Sequence, residues 1–312
     1  MHLYDENARR TPGNRTPQHR RPDRSWNLGQ NSTIFILKAC RASNEETGES
    51  IPLPAPELLK SMSVRPRRPL RLLHTSDIHL ESDSFGLGEN GQKMTLAMRH
   101  NFAEVITMAN RERVDLTLIV GDLFDSSRVT EEALEFAMGE IARAAMPVVL
   151  IPGNHDAHDE SSIYARLSPV DLPANLHLIL EPEGKRIDFP ELSARVWGRA
   201  LVEHSPEYRP LSGAPPASPA VWNIAMAHGL FTESDEDSRS SPITAADIAA
   251  TNYDYVALGH IHVFSDVSQG STRAFYCGTP GPMYSSADAG WVAHVTCEPD
   301  RPVRVERLAV RR

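Results

Sequence analysis

Five apolar runs in this chain each stop abruptly in a polar cluster, and that repetition limits the available folds more than any other feature. "LRLLHTSDIH" delivers Asp77 and His79, "TLIVGDLFD" delivers Asp122 and Asp125, and "VVLIPGNHD" delivers Asn154, His155 and Asp156. "NIAMAHG" ends on His228, and "YVALGHIH" ends on His260 and His262. Short runs rich in Val, Ile and Leu read as strands buried on both faces. In open α/β sheets, ligands bind beyond the carboxyl ends of the strands, so the five clusters are expected to meet in one cleft. Five of the 13 histidines fall at these ends.

The intervening chain supports a layered α/β domain. Residues 91–113 carry Leu96, Phe102, Val105, Ile106 and Ala109 at helical spacing. A second helix is expected from Thr130, an N-cap followed by Glu131 and Glu132, to about Ala145. "KRIDF", "ARVWGRA", "RAFYC", "WVAHVTC" and "VRVERLAV" read as further strands, and residues 205–220 as a loop rich in Pro, Ser and Ala. Strand–helix alternation followed by a run of strands suggests two sheets. Residues 1–61 are expected to be a disordered or over-extended N-terminal tail, with "STIFILKAC" as a short strand, and residues 62–312 to form the domain.

Composition narrows the class. The chain has 312 residues and 40% apolar content, enough for a sizeable core. Its net charge is −9, and residues 1–61 contribute +2, which leaves −11 for the remainder. That sign is unlike the footprint of a protein that grips duplex DNA by charge alone. Carboxylates that hold metal ions add negative charge which their ions neutralise, so phosphate substrates stay open. The 3 cysteines are widely spaced, and no apolar run nears the roughly 18 residues that span a bilayer. The N-terminus lacks the apolar stretch of a secretory signal, so a cytoplasmic protein away from the membrane is expected.

Taken singly, each cluster has an ordinary explanation. Gly121–Asp122 suits a turn leaving a strand, and Asp125 and Asp156 suit loop or turn caps. His228 suits a hydrogen-bonded core histidine. Gly153-Asn154-His155-Asp156 asks more, because turn chemistry does not require a histidine there. Gly259-His260-Ile261-His262 places two imidazoles at i and i+2 in an extended segment, a familiar metal-ligand spacing. Five such clusters in order, all at strand ends, point to a metal site.

Together they resemble the calcineurin-like metallophosphoesterase superfamily, through Asp77-x-His79, Gly121-Asp122-x-x-Asp125, Gly153-Asn154-His155-Asp156, His228 and Gly259-His260-x-His262. The resemblance implies a four-layer α-β-β-α sandwich of two mixed sheets with two divalent metal ions. It assigns one ion to Asp77, His79 and His262, the other to Asn154, His228 and His260, with Asp122 bridging both. Imidazole, carboxylate and amide oxygen suit borderline ions, manganese first, with iron or zinc as the others. A two-metal site clamps the attacking and leaving oxygens of a phosphoester and makes hydroxide available near neutral pH. By the same resemblance His155 serves the leaving oxygen and Asp156 orients His155. Asp125 is either support for that site or a loop cap.

Within the superfamily, "LLHTSDIHL", "VGDLFDSS", "LIPGNHD" and "YDYVALGHIH" are similar to the SbcD-type DNA repair exonucleases. That implies DNA as substrate and an SbcC-type ATPase as partner. The chain ends about fifty residues after His262, so the region that binds the ATPase and a DNA-contacting cap are expected to be missing. A phosphodiesterase for cyclic nucleotides, nucleotides or phospholipid head groups is the alternative. A scaffold on the same fold is disfavoured, because such relatives lose ligands that this chain keeps.

Overall fold

The computed structural model describes residues 67–81, 89–167, 172–233, 241–281 and 290–310. The expected tail and the strand at "STIFILKAC" lie outside the described residues.

Strands β1 (Leu70–Thr75), β2 (Leu116–Val120), β3 (Val148–Ile151) and β4 (Leu176–Leu178) pair in parallel. Helix α1 (Glu89–Glu112) links β1 to β2, and α2 (Glu131–Ala142) links β2 to β3. Strand β13 (Trp291–Cys297) returns antiparallel to β1, with β14 (Arg304–Ala309) beyond it, giving a six-stranded sheet in the order β14-β13-β1-β2-β3-β4. The second six-stranded sheet has a parallel centre of β6 (Ala194–Gly198), β7 (Trp222–His228), β10 (Tyr255–Gly259) and β12 (Arg273–Cys277). Its edges are antiparallel: β5 (Lys185–Phe189) against β6, and β11 (Phe264–Asp266) against β12. Strands β8 (Leu230–Thr232) and β9 (Pro242–Thr244) form a separate parallel pair.

Alternation along the central strands fills three apolar layers. In β1 and β2, Leu73 and Ile119 face Phe102 and Ile106 of α1, whereas Leu72, Leu118 and Val120 face Val196, Ile224 and Met226 of the second sheet. The outer side of that sheet buries Ala225, Val256 and Leu258 under Ile248 of α3 (Ala245–Thr251). The sandwich is thus helix, sheet, sheet, helix, with one short helix in the fourth layer.

Local deviations have local causes. On α1 the buried row is Met98, Phe102, Val105, Ile106 and Ala109, but Leu96 is 66% exposed. It stands six residues from Phe102, which at 3.6 residues per turn places it off the stripe. Helix α2 starts where expected, with the Thr130 hydroxyl accepting from Ala133 N–H at 3.2 Å. It stops at Ala142 because Asn110 of α1 captures the next backbone groups, donating to Arg143 O at 3.0 Å and accepting from Ala145 N–H at 2.8 Å. The expected strands in the described residues all form. Strands β4, β8, β9 and β11 were not anticipated, since three residues carry no readable periodicity. Helix α3 escaped too, although Thr244-x-x-Asp247 forms its capping box.

Candidate metal centre

The carboxyl ends of β1, β2, β3, β7 and β10 meet at one end of the sandwich, and the backbone there is bent to bring them together. The segment after β1 is laced to the segment after β2: Asp77 N–H donates to Gly121 O, Ile78 and His79 N–H to Asp122 O, and Leu80 N–H to Leu123 O. Asp77, His79 and Asp122 have φ of 54°, 52° and 52°, and His260 has φ of 99°. Non-glycine residues rarely adopt such angles, and each costs about 1–3 kcal/mol unless neighbours enforce it. Here all four are expected ligands, so the backbone strain is spent on aiming site side chains inward. Two glycines let the strands close in. A Cβ on Gly259 would lie 2.0 Å from Val120 O, and one on Gly121 would lie 2.2 Å from His228 Nδ1.

The donor atoms form one continuous cluster. Asp77, His79 and His262 each bring one ligand atom within 4.8 Å of the others, as do Asp77, Asp122 and His228. Asp122 Oδ2 stands between the two halves, 3.7 Å from His79 Nε2 and 3.3 Å from His228 Nε2. Asn154 Oδ1 lies 3.0 Å from His228 Nε2 and 2.8 Å from His260 Nδ1. Asp77 is held by the Ser76 hydroxyl and by His260 N–H at 3.1 Å.

The tautomers show why this arrangement suits cations. His228 Nδ1–H donates to Val120 O at 2.9 Å, which leaves the Nε2 lone pair facing Asp122 Oδ2 and Asn154 Oδ1. His79 Nδ1–H donates to Asp125 Oδ1 at 2.8 Å, so its Nε2 lone pair faces His262 Nε2 at 3.3 Å and Asp122 Oδ2. Lone pairs turned on one another in a buried site need a proton or a metal ion between them. The donors therefore fit two divalent ions, one beside His79 and His262 and one beside His228, Asn154 and His260.

Electrostatics show what competes with those ions. Burial pushes His228 down, but the Asp122 and Asp77 carboxylates outweigh it and raise its pKa to about 9. Burial and then the His228 charge lower His260 to about 4, which keeps its lone pair available. Burial opposes the charge on Asp77 and Asp122, yet His262 and His228 hold Asp77 below the usual carboxylate range and His228 does the same for Asp122. In the metal-free protein, then, His228 carries a proton up to about pH 9 that an incoming ion must displace. Burial pushes His79 down, but the Asp125 and Asp122 carboxylates outweigh it and raise its pKa as well. Metal affinity should therefore rise at least about tenfold per pH unit between about pH 6.5 and 8.5, with protons released from both His228 and His79. Calorimetric titration of metal in buffers of different ionisation enthalpy measures that release. Affinity independent of pH across this range would contradict the protonated His228.

The role expected of Asp156 needs correcting, and of the two left open for Asp125 the contacts match support of the site. Both Asp156 oxygens are filled by donors from the Asp122 segment and its surroundings. Oδ1 accepts from Gly153 N–H at 2.7 Å and Asp122 N–H at 3.2 Å, and Oδ2 from Leu123 N–H, Phe124 N–H and the Tyr164 hydroxyl at 2.9, 3.2 and 2.6 Å. None of these donors belongs to His155. Instead the His155 Nδ1–H donates to Asp125 O at 3.0 Å, with Asp125 Oδ1 3.5 Å away. Asp125 thus orients both His79 and His155, whose rings meet edge-on at 4.7 Å between centroids. The His155 backbone N–H also donates to Asp122 Oδ1 at 2.8 Å. One imidazole went unnoticed in the sequence: His204, whose ring lies 5.5 Å from that of His260. It belongs to the loop after β6, where no strand end drew attention to it.

The sequence profile of the calcineurin-like phosphoesterases matches residues 70–264, more than half of the chain and every strand that ends in the cluster. The chain belongs to the calcineurin-like phosphoesterase family. Its donors are those of a metal-dependent hydrolase, in a family that works with divalent ions. The phosphoesterase is 29% identical over 252 residues to the uncharacterized metallophosphoesterase YhaO of Bacillus subtilis, covering 73% of this chain and 58% of YhaO. It is 25% identical over 274 residues to the SbcD component of the SbcCD nuclease of the same organism, covering 75% and 67%. The DNA double-strand break repair protein Mre11 of Methanopyrus kandleri is 25% identical over 231 residues, covering 69% and 49%. The phosphoesterase therefore spans about half to two thirds of the length of these relatives. In fold alone it is similar to TT1561 of Thermus thermophilus, with a TM-score of 0.50, 12% identity, and 78% of this chain and 99% of that one covered. Among the described residues, no helix is long and apolar enough to cross a membrane.

Proposed function

We propose that this phosphoesterase hydrolyses phosphodiester bonds of DNA, with two divalent ions, manganese foremost, held by Asp77, His79, Asp122, Asn154, His228, His260 and His262. One observation carries it: a single donor cluster, buried at Asp77, His79, Asp122 and His228 and half-buried at Asn154, His260 and His262, with His155 partly exposed at its edge and fixed by Asp125. When bound, the ions neutralise phosphoryl charge and make water acidic enough to attack at neutral pH. The chain's own contribution is orientation. Asp122 stands between both halves of the cluster, and Asp125 sets the ring of His79. His155, with Nδ1–H spent on Asp125 O, keeps Nε2 for the leaving oxygen. Support for DNA comes from the similarity to the SbcD component of the SbcCD nuclease and to Mre11, whose names record nuclease and DNA repair roles.

The charge of −11 beyond residue 61 favours a second reading, a phosphodiesterase for small substrates. A substrate panel separates the two. Metal-free protein reconstituted with manganese, iron(II) or zinc should cleave single- or double-stranded DNA in at least one form, manganese first. Cleavage of bis(4-nitrophenyl) phosphate with DNA left intact would select the small-substrate reading. No turnover of either in any form would sink both.

A further inference from the structure

His204 is an exposed imidazole beside the metal centre that neither the expected ligands nor the proposed acid accounts for. Its ring stands edge-on to His260, 68° between planes. His155 occupies the other flank, packed edge-on against His79. The two accessible imidazoles therefore border opposite halves of the donor cluster. Among the described residues neither ring nitrogen of His204 has a hydrogen-bond partner, so both are free for a ligand.

The loop that carries His204 is pinned on several sides. His158 N–H donates to Leu201 O at 2.8 Å, which ties the loop to the segment after Asn154 and His155. The Tyr208 hydroxyl donates to Ala200 O at 2.6 Å, and Tyr208 N–H to Ser205 O at 3.2 Å. Ser241 N–H donates to Ser205 O at 2.8 Å. Arg199 lies over the Tyr208 ring at 4.8 Å. An imidazole with no hydrogen-bond partner among the described residues, on a loop tied down on both sides of it, is pre-organised for a group that arrives from solvent. Neutral or charged, that ring carries at least one N–H to donate.

We propose that His204 is a substrate-contacting residue, donating a hydrogen bond to a phosphoryl oxygen of the substrate on the side of His260, opposite His155. The proposal rests on the phosphoesterase reading above. It assigns His204 to binding and not to proton transfer. A hydrogen bond to a charged phosphate oxygen corresponds to about tenfold or more in affinity.

The test uses full-length manganese-loaded protein and the variants His204→Ala and His204→Gln. With bis(4-nitrophenyl) phosphate, His204→Ala should raise KM about tenfold with kcat within about twofold of wild type, and His204→Gln should recover most of the loss. Inorganic phosphate, titrated by calorimetry, should bind His204→Ala about tenfold more weakly, with metal stoichiometry and Tm unchanged. Unaltered KM and phosphate affinity would overturn the proposal, and loss of metal would assign His204 to the ions instead. If wild type fails to turn over any phosphodiester, the phosphoesterase reading fails, while the phosphate titration still decides whether His204 binds that anion.

Discussion

His155→Ala is expected to lose turnover by about 10²–10⁴-fold, the range for removing a general acid, while keeping its metal ions. His155 brings a ring nitrogen within 4.8 Å of donors on His79 and Asp122, so metal content is the readout that separates the two properties. His155 is partly exposed and its Nδ1–H is anchored by the carbonyl of Asp125, whereas His79 Nδ1–H donates to Asp125 Oδ1 at 2.8 Å, a hydrogen bond that remains when the His155 ring is removed. Asp122→Ala should behave differently. Asp122 Oδ2 faces both His79 and His228, so in the proposed two-ion site its loss would remove the carboxylate placed between the two cations. Elemental analysis of the purified variants, beside rates on one phosphodiester, reads both effects. His155→Ala at near wild-type rate would remove the acid role. Asp122→Ala with full metal content would remove the bridging one.

The division of labour between the acids of "GDLFD" shows where sequence reading reached and where it stopped. Strand ends were legible because parallel strands deliver their carboxyl ends to one side, and β1, β2, β3, β7 and β10 do so. Asp77, His79, Asp122, Asn154, His155, His228, His260 and His262 were all readable as members of one cluster for that reason. Which acid faces which imidazole was not readable. Asp156 follows His155 directly in sequence, yet its carboxylate turns back to the Asp122 segment, and Asp125 reaches both His79 and His155. Those directions are set by contacts between residues thirty or more positions apart, to which no pattern of residue types points. His204 was hidden for a related reason. Its position comes from long-range ties, Leu201 to His158 and Ser205 to Ser241, inside a stretch whose composition signals only a loop.

Because Asp156 holds backbone and not His155, its replacement should act on the fold before the chemistry. Asp156 is fully buried and accepts four backbone N–H groups, from Gly153, Asp122, Leu123 and Phe124, as well as the Tyr164 hydroxyl. Burial, and then the neighbouring Asp122 carboxylate, push its pKa upward, so these donors act against an unfavourable environment. Asp156→Ala leaves several buried donors unmet at about 1–3 kcal/mol each. A net loss of about 3 kcal/mol lowers Tm by roughly 10 °C in a domain of this size. Asp156→Asn should be no rescue, because its amide N–H₂ turns a donor toward backbone N–H groups on one side or the other. Metal affinity should fall with stability, since the same N–H groups position Asp122. Thermal melts of the metal-free proteins isolate the structural effect. If Asp156→Ala melted like wild type and lost only turnover, Asp156 would act on the reacting groups, and the backbone-holding role would fall.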